Sequence, residues 1–341
     1  TGLDPFLDAD PDFPQDDYYS LLWGRCRRDG STWCLPFDSF VGVIRYRKAL
    51  FDSAGVDYPQ DGWTLDDLLA MSVALTKGEG AGKVYGFSGY HEDAAVHWII
   101  GLRGGGLWDT DADPPRPRFD DPEVVEAVRW YADLVRVHQV SPIIHLPVTV
   151  ENVGEWWGAR ELVETSKVAI WFWFPGGYTP SRVTTAAMAP LPQHNGQNLP
   201  YVGLSAHFIS AQTEHPEACW QWLSYLSDHL NAVQGVPARS SLAESPAFRQ
   251  KVGGEVADVY LAALAQGTDH VYAVECQHPW AWWPLRWFDE AYGAVLDGAD
   301  AAQALGQAQY KAEEYLLCLE TKLGLEEEDR IQTCVQVVDS E

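Results

Sequence analysis

Lys167-Val168-Ala169-Ile170-Trp171-Phe172-Trp173-Phe174-Pro175-Gly176-Gly177 is the stretch that decides the fold. An unbroken apolar run of this length, closed by proline and two glycines, reads as a strand buried on both faces, as in a parallel sheet covered by helices. Upstream, Asp121 caps a helix with Pro122 in its first turn, and Val124, Val125, Val128, Tyr131, Leu134 and Val135 fall at helical spacing. Thr64 caps another, with Asp67 at the third helical position and Leu65, Leu68, Leu69 and Val73 on one face. Val84 to Ser88 reads as a strand, and Ala94 to Leu102 as a helix that stops at Gly104 to Gly106. Nearer the start, Ser31 to Pro36 and Val41 to Tyr46 read as strands separated by a loop from Phe37 to Phe40. Thr1 to Tyr19, rich in Asp and Pro, reads as an extended surface approach without regular structure. Downstream come strands at Ala186 to Leu191 and Leu204 to Ser210, then helices at Pro216 to Ser227, Phe288 to Leu296 and Ala301 to Leu319. Strands alternating with helices predict an α/β fold with largely parallel sheets. At 341 residues and 46% hydrophobic content the chain fills two cores. Without a repeat or a low-complexity linker, the two lobes are expected to be joined by several chain crossings.

Charge and motifs exclude several function classes. Forty-nine acidic against 23 basic residues give a formal charge of -26, which repels phosphate backbones and excludes nucleic acid as a partner. No apolar run reaches the ~20 residues a membrane-spanning helix needs. The sequence starts at Thr1 without an initiator methionine or an apolar signal segment, so any targeting signal is expected outside it. His91 and His97 are six apart, not the four of a helical zinc-protease pair, and none of the six cysteines stands at C-x-x-C spacing, so no metal site is expected. No G-x-S-x-G elbow accompanies a serine, and Gly101 to Gly106 lacks the lysine and hydroxyl of a phosphate loop. The acidic pairs Asp66/Asp67 and Asp120/Asp121 sit at helix starts, where capping accounts for them. Catalysis and a cofactor are therefore not expected.

Cys26 and Cys34 flank a turn, and Cys318 and Cys334 flank a polar hinge. Local disulfides in an oxidising compartment and six reduced core fillers both fit. The positive signal is aromatic: 16 tryptophans, with Trp156 and Trp157 adjacent, Trp171 and Trp173 on one strand face, and Trp280, Trp282, Trp283 and Trp287 crowded around a proline. Flat apolar rings with a hydrogen-bonding edge match the C–H faces and hydroxyl rims of sugars.

A series of short motifs in one order resembles the extracellular solute-binding proteins of ABC importers, in the sugar-binding cluster that includes maltose-binding protein. They are Leu35-Pro36 through Tyr46, Lys48, Leu50-Phe51, Ala54-Gly55-Val56, Trp63 to Leu68, and Tyr85-Gly86-Phe87. Gly105-Gly106 with Asp109 and Asp111, Asp121-Pro122-Glu123, Lys167 to Ile170, Ala189 to Pro192, His215 to Trp220, and Val295 to Gly298 with Ala301 to Leu305 continue the series. The resemblance runs from about residue 30 to about 320, and nothing matches the family's first hundred or so residues. Arg47 replaces the family's asparagine before Lys48, and Gly176 replaces a tryptophan, with Tyr178 two residues on.

The resemblance implies a two-lobed, periplasmic-binding-protein-like fold of type II with an incomplete first lobe. Residues 1–40 and 205–240 would form part of that lobe, 41–204 and 241–325 the second lobe, and 326–341 a C-terminal tail. Hinge crossings would fall near 37–42, 201–206 and 237–242. It implies a monomeric extracytoplasmic protein, with any lipid anchor on a segment outside this sequence. Its partners would be a mono- or oligosaccharide, captured by hinge closure, and the importer's membrane subunits. By position in the family pattern, Trp283 and Trp282 would be stacking platforms and Tyr178 and Trp173 a second wall; the loop Tyr90 to Asp93, especially Glu92 and Asp93, and Asp38 would supply polar contacts, with Arg239 bracing a lobe. Two other classes stay open: a carbohydrate-active hydrolase, which needs two acids about the bond, and a degenerate lobe with a regulatory role.

Overall fold

A computed structural model of the chain describes residues 1–90, 92–145, 153–173, 186–266, 274, 278–322, 324 and 326–340. The chain opens with α1 (Asp4–Ala9), α2 (Ser20–Arg25), β1 (Arg27–Arg28), β2 (Ser31–Thr32), β3 (Leu35–Val41) and β4 (Val43–Tyr46). It continues through α3 (Lys48–Ala54), α4 (Leu65–Leu75), β5 (Tyr85–Ser88), α5 (Glu92–Leu102), β6 (Trp108–Asp109), β7 (Arg116–Pro117), α6 (Pro122–Arg136) and α7 (Val153–Glu164). Then follow β8 (Val168–Trp173), β9 (Ala187–Ala189), β10 (Val202–His207), α8 (Pro216–Ser227), β11 (Val236–Pro237), α9 (Ser240–Ala243), α10 (Pro246–Val252) and α11 (Gly254–Gln266). The chain closes with α12 (Trp282–Asp297), α13 (Ala301–Thr321) and α14 (Glu327–Asp339). Among the described residues no helix is long and apolar enough to cross a membrane.

The chain divides into two compact units. Unit 1 comprises Thr1–Arg45, Trp173–Leu191 and Leu199–Asp269, and unit 2 comprises Tyr46–Phe172, Pro192–Asn198 and His270–Glu341. Residues 41–45, 173, 186–191, 199–204 and 241–266, placed in the second lobe from the sequence, thus pack in unit 1.

Unit 1 is built on an antiparallel sheet of order β10-β3-β11. The expectation of largely parallel sheets is corrected here. The three segments expected to be crossings share this sheet: Asp38 is registered with Ser205 on one side and Pro237 on the other. Phe37 to Phe40, expected as a loop, is the middle of β3. Its polar Asp38 and Ser39 are buried because backbone groups of Gln234, Gly235 and Val236 hydrogen-bond them. Thr1 to Tyr19, expected without regular structure, folds into α1 and a short 3-10 turn at Gln15–Asp17, and buries Leu3, Leu7, Phe13 and Tyr18. Its spacing is irregular because its apolar partner comes from far along the chain: Phe13 meets the Trp220 ring at 4.9 Å. Cys26 and Cys34 form a disulfide beneath the β1–β2 hairpin.

Unit 2 contains residues 167–172 of the decisive run. β8 is buried at every position and lies parallel to β5, with Ser88 opposite Trp171. The expected capping box closes α4: the Asp67 amide donates to Thr64 Oγ1 at 3.1 Å and the Thr64 amide donates to Asp67 Oδ2 at 2.8 Å. α6 buries the whole apolar stripe read from its sequence. The segment expected as a C-terminal tail is α14, which buries Ile331, Cys334, Val335 and Val338 and is bonded to α13 through Cys318–Cys334. Both local disulfides are therefore present; among the described residues Cys219 is the free thiol.

Candidate functional site

In open α/β folds ligands dock outside the carboxyl ends of the parallel strands, where the following helices start. β5 ends at Ser88. Two residues on, Tyr90 takes a left-handed conformation at φ 58 with its ring buried, and its amide donates to Ser88 Oγ at 3.3 Å. A bulky residue in that region marks a backbone held by its surroundings, of the kind found at functional sites. The turn sends the chain into α5, whose first residues are Glu92 and Asp93; their side chains lie outside the described residues. α5 then anchors on β8, with the Trp98 ring stacked at 5.7 Å on Phe172.

β8 ends at Trp173. Trp171 and Trp173 point to one face by strand alternation, and each ring carries a guanidinium: Arg47 lies 5.4 Å from the Trp171 centroid and Arg45 lies 5.6 Å from that of Trp173. Burial pulls the Arg47 pKa down, and its Nη2 donates to the Val163 carbonyl. In unit 1, burial pushes the Tyr260 phenol up, against the opposing charge of Arg45. Trp173 is only 5% exposed, so a platform role would require Arg45 to leave its face.

The 280–287 cluster separates by exposure. Trp287 is core, its Nε1 donating to Asp339 at 3.0 Å, and Trp280 rests edge-on against Trp108 at 5.8 Å. The turn Pro279–Ala281 leads into α12, whose first residues are Trp282, 52% exposed, and the half-buried Trp283. Pro284, Leu285 and Phe288 are buried and hold this end of α12 rigidly.

Asp38 and Arg239 are engaged within unit 1. Asp38 is 4% exposed, and its Oδ2 accepts the Gln234 and Gly235 amides, both at 3.0 Å. Arg239 donates from Nε to Asp17 and from Nη1 to Asp228, both at 2.7 Å. Burial opposes ionisation of Asp17, but hydrogen bonds from Ser241, Arg239 and Ser240 outweigh it and hold the carboxyl at about 2. A lowered folded-state pKa stabilises above the ordinary carboxylate range and is lost as pH falls through the folded value. Roughly 2 kcal/mol of stability should therefore disappear between about pH 4 and pH 2. Asp17→Asn should remove this acid limb from a urea-denaturation series across that range.

Tyr178 lies outside the described residues. Of the other named residues, Trp282, Trp283, Glu92 and Asp93 belong to unit 2, and Asp38, Trp173 and Arg239 to unit 1.

The family model described as "Bacterial extracellular solute-binding protein" matches residues 1–229. The chain belongs to this family. The match starts at residue 1, upstream of the residue-level resemblance. Among curated proteins, the chain is similar to an arabinooligosaccharide-binding protein from Halalkalibacterium halodurans, 22% identical over 247 residues, covering 69% of this chain and 54% of the relative. The chain thus spans about half the length of the curated relative it matches. Among solved structures, an ABC substrate-binding protein from Listeria monocytogenes in complex with cycloalternan superposes with a TM-score of 0.73 at 17% identity, covering 93% of this chain and 80% of that one. UgpB from Mycobacterium tuberculosis, in complex with glycerophosphocholine, gives 0.73 at 16%, covering 92% and 78%. These likenesses show that the chain has the two-lobed solute-binding-protein fold, and members of the family are binding proteins.

For this solute-binding protein, sequence reasoning included Tyr90 in the candidate loop 90–93 without its left-handed backbone, and missed the Arg45/Arg47 pair. Tyr90 carries no local signal, since left-handed geometry at a tyrosine is imposed by packing. The arginines had one: two cations alternating in the strand Val43–Tyr46 and just after it, matched by Trp171 and Trp173 alternating in β8.

Proposed function

We propose that this solute-binding protein captures a mono- or oligosaccharide outside the cytoplasm and delivers it to the membrane subunits of an ABC importer, without chemical change to the sugar. Units 1 and 2 serve as the two lobes, and closure supplies the differential affinity that shifts the population towards the ligand-bound form. The observation that carries the reading is the adjacent pair Trp282 and Trp283 at a rigid helix start. A half-exposed indole offers solvent an apolar ring face with a hydrogen-bonding edge, the kind of surface a sugar ring covers. Family membership supports capture, and the arabinooligosaccharide specificity in the relative's name supports the ligand class. Two disulfides support an oxidising compartment.

Calorimetric titration with arabino-, malto- and mannooligosaccharides tests this. One series should bind and be recovered intact by chromatography, and Trp283→Ala should weaken it by about tenfold or more. Cleavage of the ligand, or unchanged affinity in the variant, would contradict the reading.

A further inference from the structure

A cavity of about 480 Å³ opens in unit 1 beside α8, away from every residue assigned above except Arg239. Its size falls in the range of small-molecule sites. Its apolar floor is Phe13 and Trp220, rings tilted at 53° and both largely buried. Its wall is Tyr225 and His229, whose rings lie 3.9 Å apart; beside the cavity, Trp222 extends this stack along α8, 5.7 Å from Tyr225 and within 15° of parallel. Trp222 is 58% exposed and Tyr225 is 54% exposed. Large aromatics grouped on a surface in this way mark a binding face.

The polar lining selects the ligand. Asp10 and Asp228 present carboxylates and Gln221 an amide. The permanent cation, Arg239, already donates to Asp17 and Asp228. A phosphate or carboxylate would meet two acids against one committed guanidinium, and a cation would meet Arg239 itself. A neutral polyol suits both the acceptors and the amide donor, and its C–H face suits the rings.

We propose that this cavity is a second saccharide-binding site, taking the end of a neutral oligosaccharide independently of Trp282 and Trp283. The test titrates maltotriose, mannotriose and arabinotriose into the full chain, into Trp282→Ala/Trp283→Ala, and into that variant carrying Tyr225→Ala and Gln221→Ala. The last two side chains are exposed, so an unchanged melting temperature verifies the fold. Binding of at least one trisaccharide, one per chain, should persist in the tryptophan variant and fall by about tenfold or more when Tyr225 and Gln221 are replaced. Loss of all binding in the tryptophan variant would overturn the proposal. So would indifference to the Tyr225 and Gln221 changes, no binding by the unsubstituted chain, or a concentration-dependent dimer abolished by Tyr225→Ala, which would show that a second copy covers this face. Failure of the Trp282/Trp283 reading is seen separately, as equal affinity in the unsubstituted chain and the tryptophan variant.

Discussion

Gly86→Ala should lower the stability of unit 2 by about 3 kcal/mol or more. A methyl group built on Gly86 would stand 2.0 Å from the Ser72 carbonyl oxygen and 2.5 Å from the Ser72 Cα. These are backbone atoms of α4 and cannot rotate away. The helix is also tied to this point from its far side, since the Gly86 amide donates to Thr76 Oγ1 at 2.9 Å. Accommodation therefore requires α4 to lift off β5, which exposes Leu68 and Leu75 and breaks the strand edge. Urea denaturation should show a large drop in midpoint for Gly86→Ala. Gly82→Ala, with open space at its Cβ, should stay within about 0.5 kcal/mol of the parent. Equal midpoints for the two variants would show that α4 does not sit on β5 as described.

Loss of the Cys318–Cys334 bridge has the second largest expected effect. The bond closes a loop between residues separated by 16 positions, and crosslinks of that span stabilise by about 3 kcal/mol, chiefly by restricting the unfolded chain. α14 has other attachments: Asp339 accepts from Trp287 Nε1 and pairs with Arg286 at 2.9 Å. Cys334→Ser should therefore lower the melting temperature while leaving α14 docked but more open. In hydrogen exchange the amides of 327–339 should lose protection well before those of β8. Unchanged protection across α14 would mean that the helix is held by packing alone.

The same contrast explains what the sequence could and could not reveal. β8, α4 and α6 were legible because their signals are local: a continuous apolar run, a reciprocal cap, a stripe at 3.6-residue spacing. The first 19 residues were not, because Leu3, Leu7 and Phe13 are separated by aspartates and prolines and find partners such as Trp220 two hundred residues on. β3 was interrupted by Asp38 and Ser39, which look like loop residues until the backbone of 234–236 satisfies them. At the other end of the chain, Glu327, Glu328 and Asp329 stand in the first turn of α14, where negative charge favours a helix start.

Aromatic crowding marks only the 280–287 segment as a candidate; Trp282 and Trp283 are singled out within it by position in the family pattern, and the structure adds that Trp282 is exposed where Trp287 is buried. Asp38 and Arg239 are residue types that suit sugar hydroxyls. Only the structure reveals the amides and carboxylates that already occupy them. Trp173 likewise meets Arg45, a contact set by strand register between distant segments.

The central claim is capture of a sugar by closure of two lobes. Small-angle scattering of the full chain, free and saturated with the oligosaccharide that binds tightest in calorimetry, tests it most directly. The account predicts a smaller radius of gyration in the presence of that sugar, with no change on adding a non-binding one. Saturation without any contraction, or no saccharide bound by the folded chain, would contradict it.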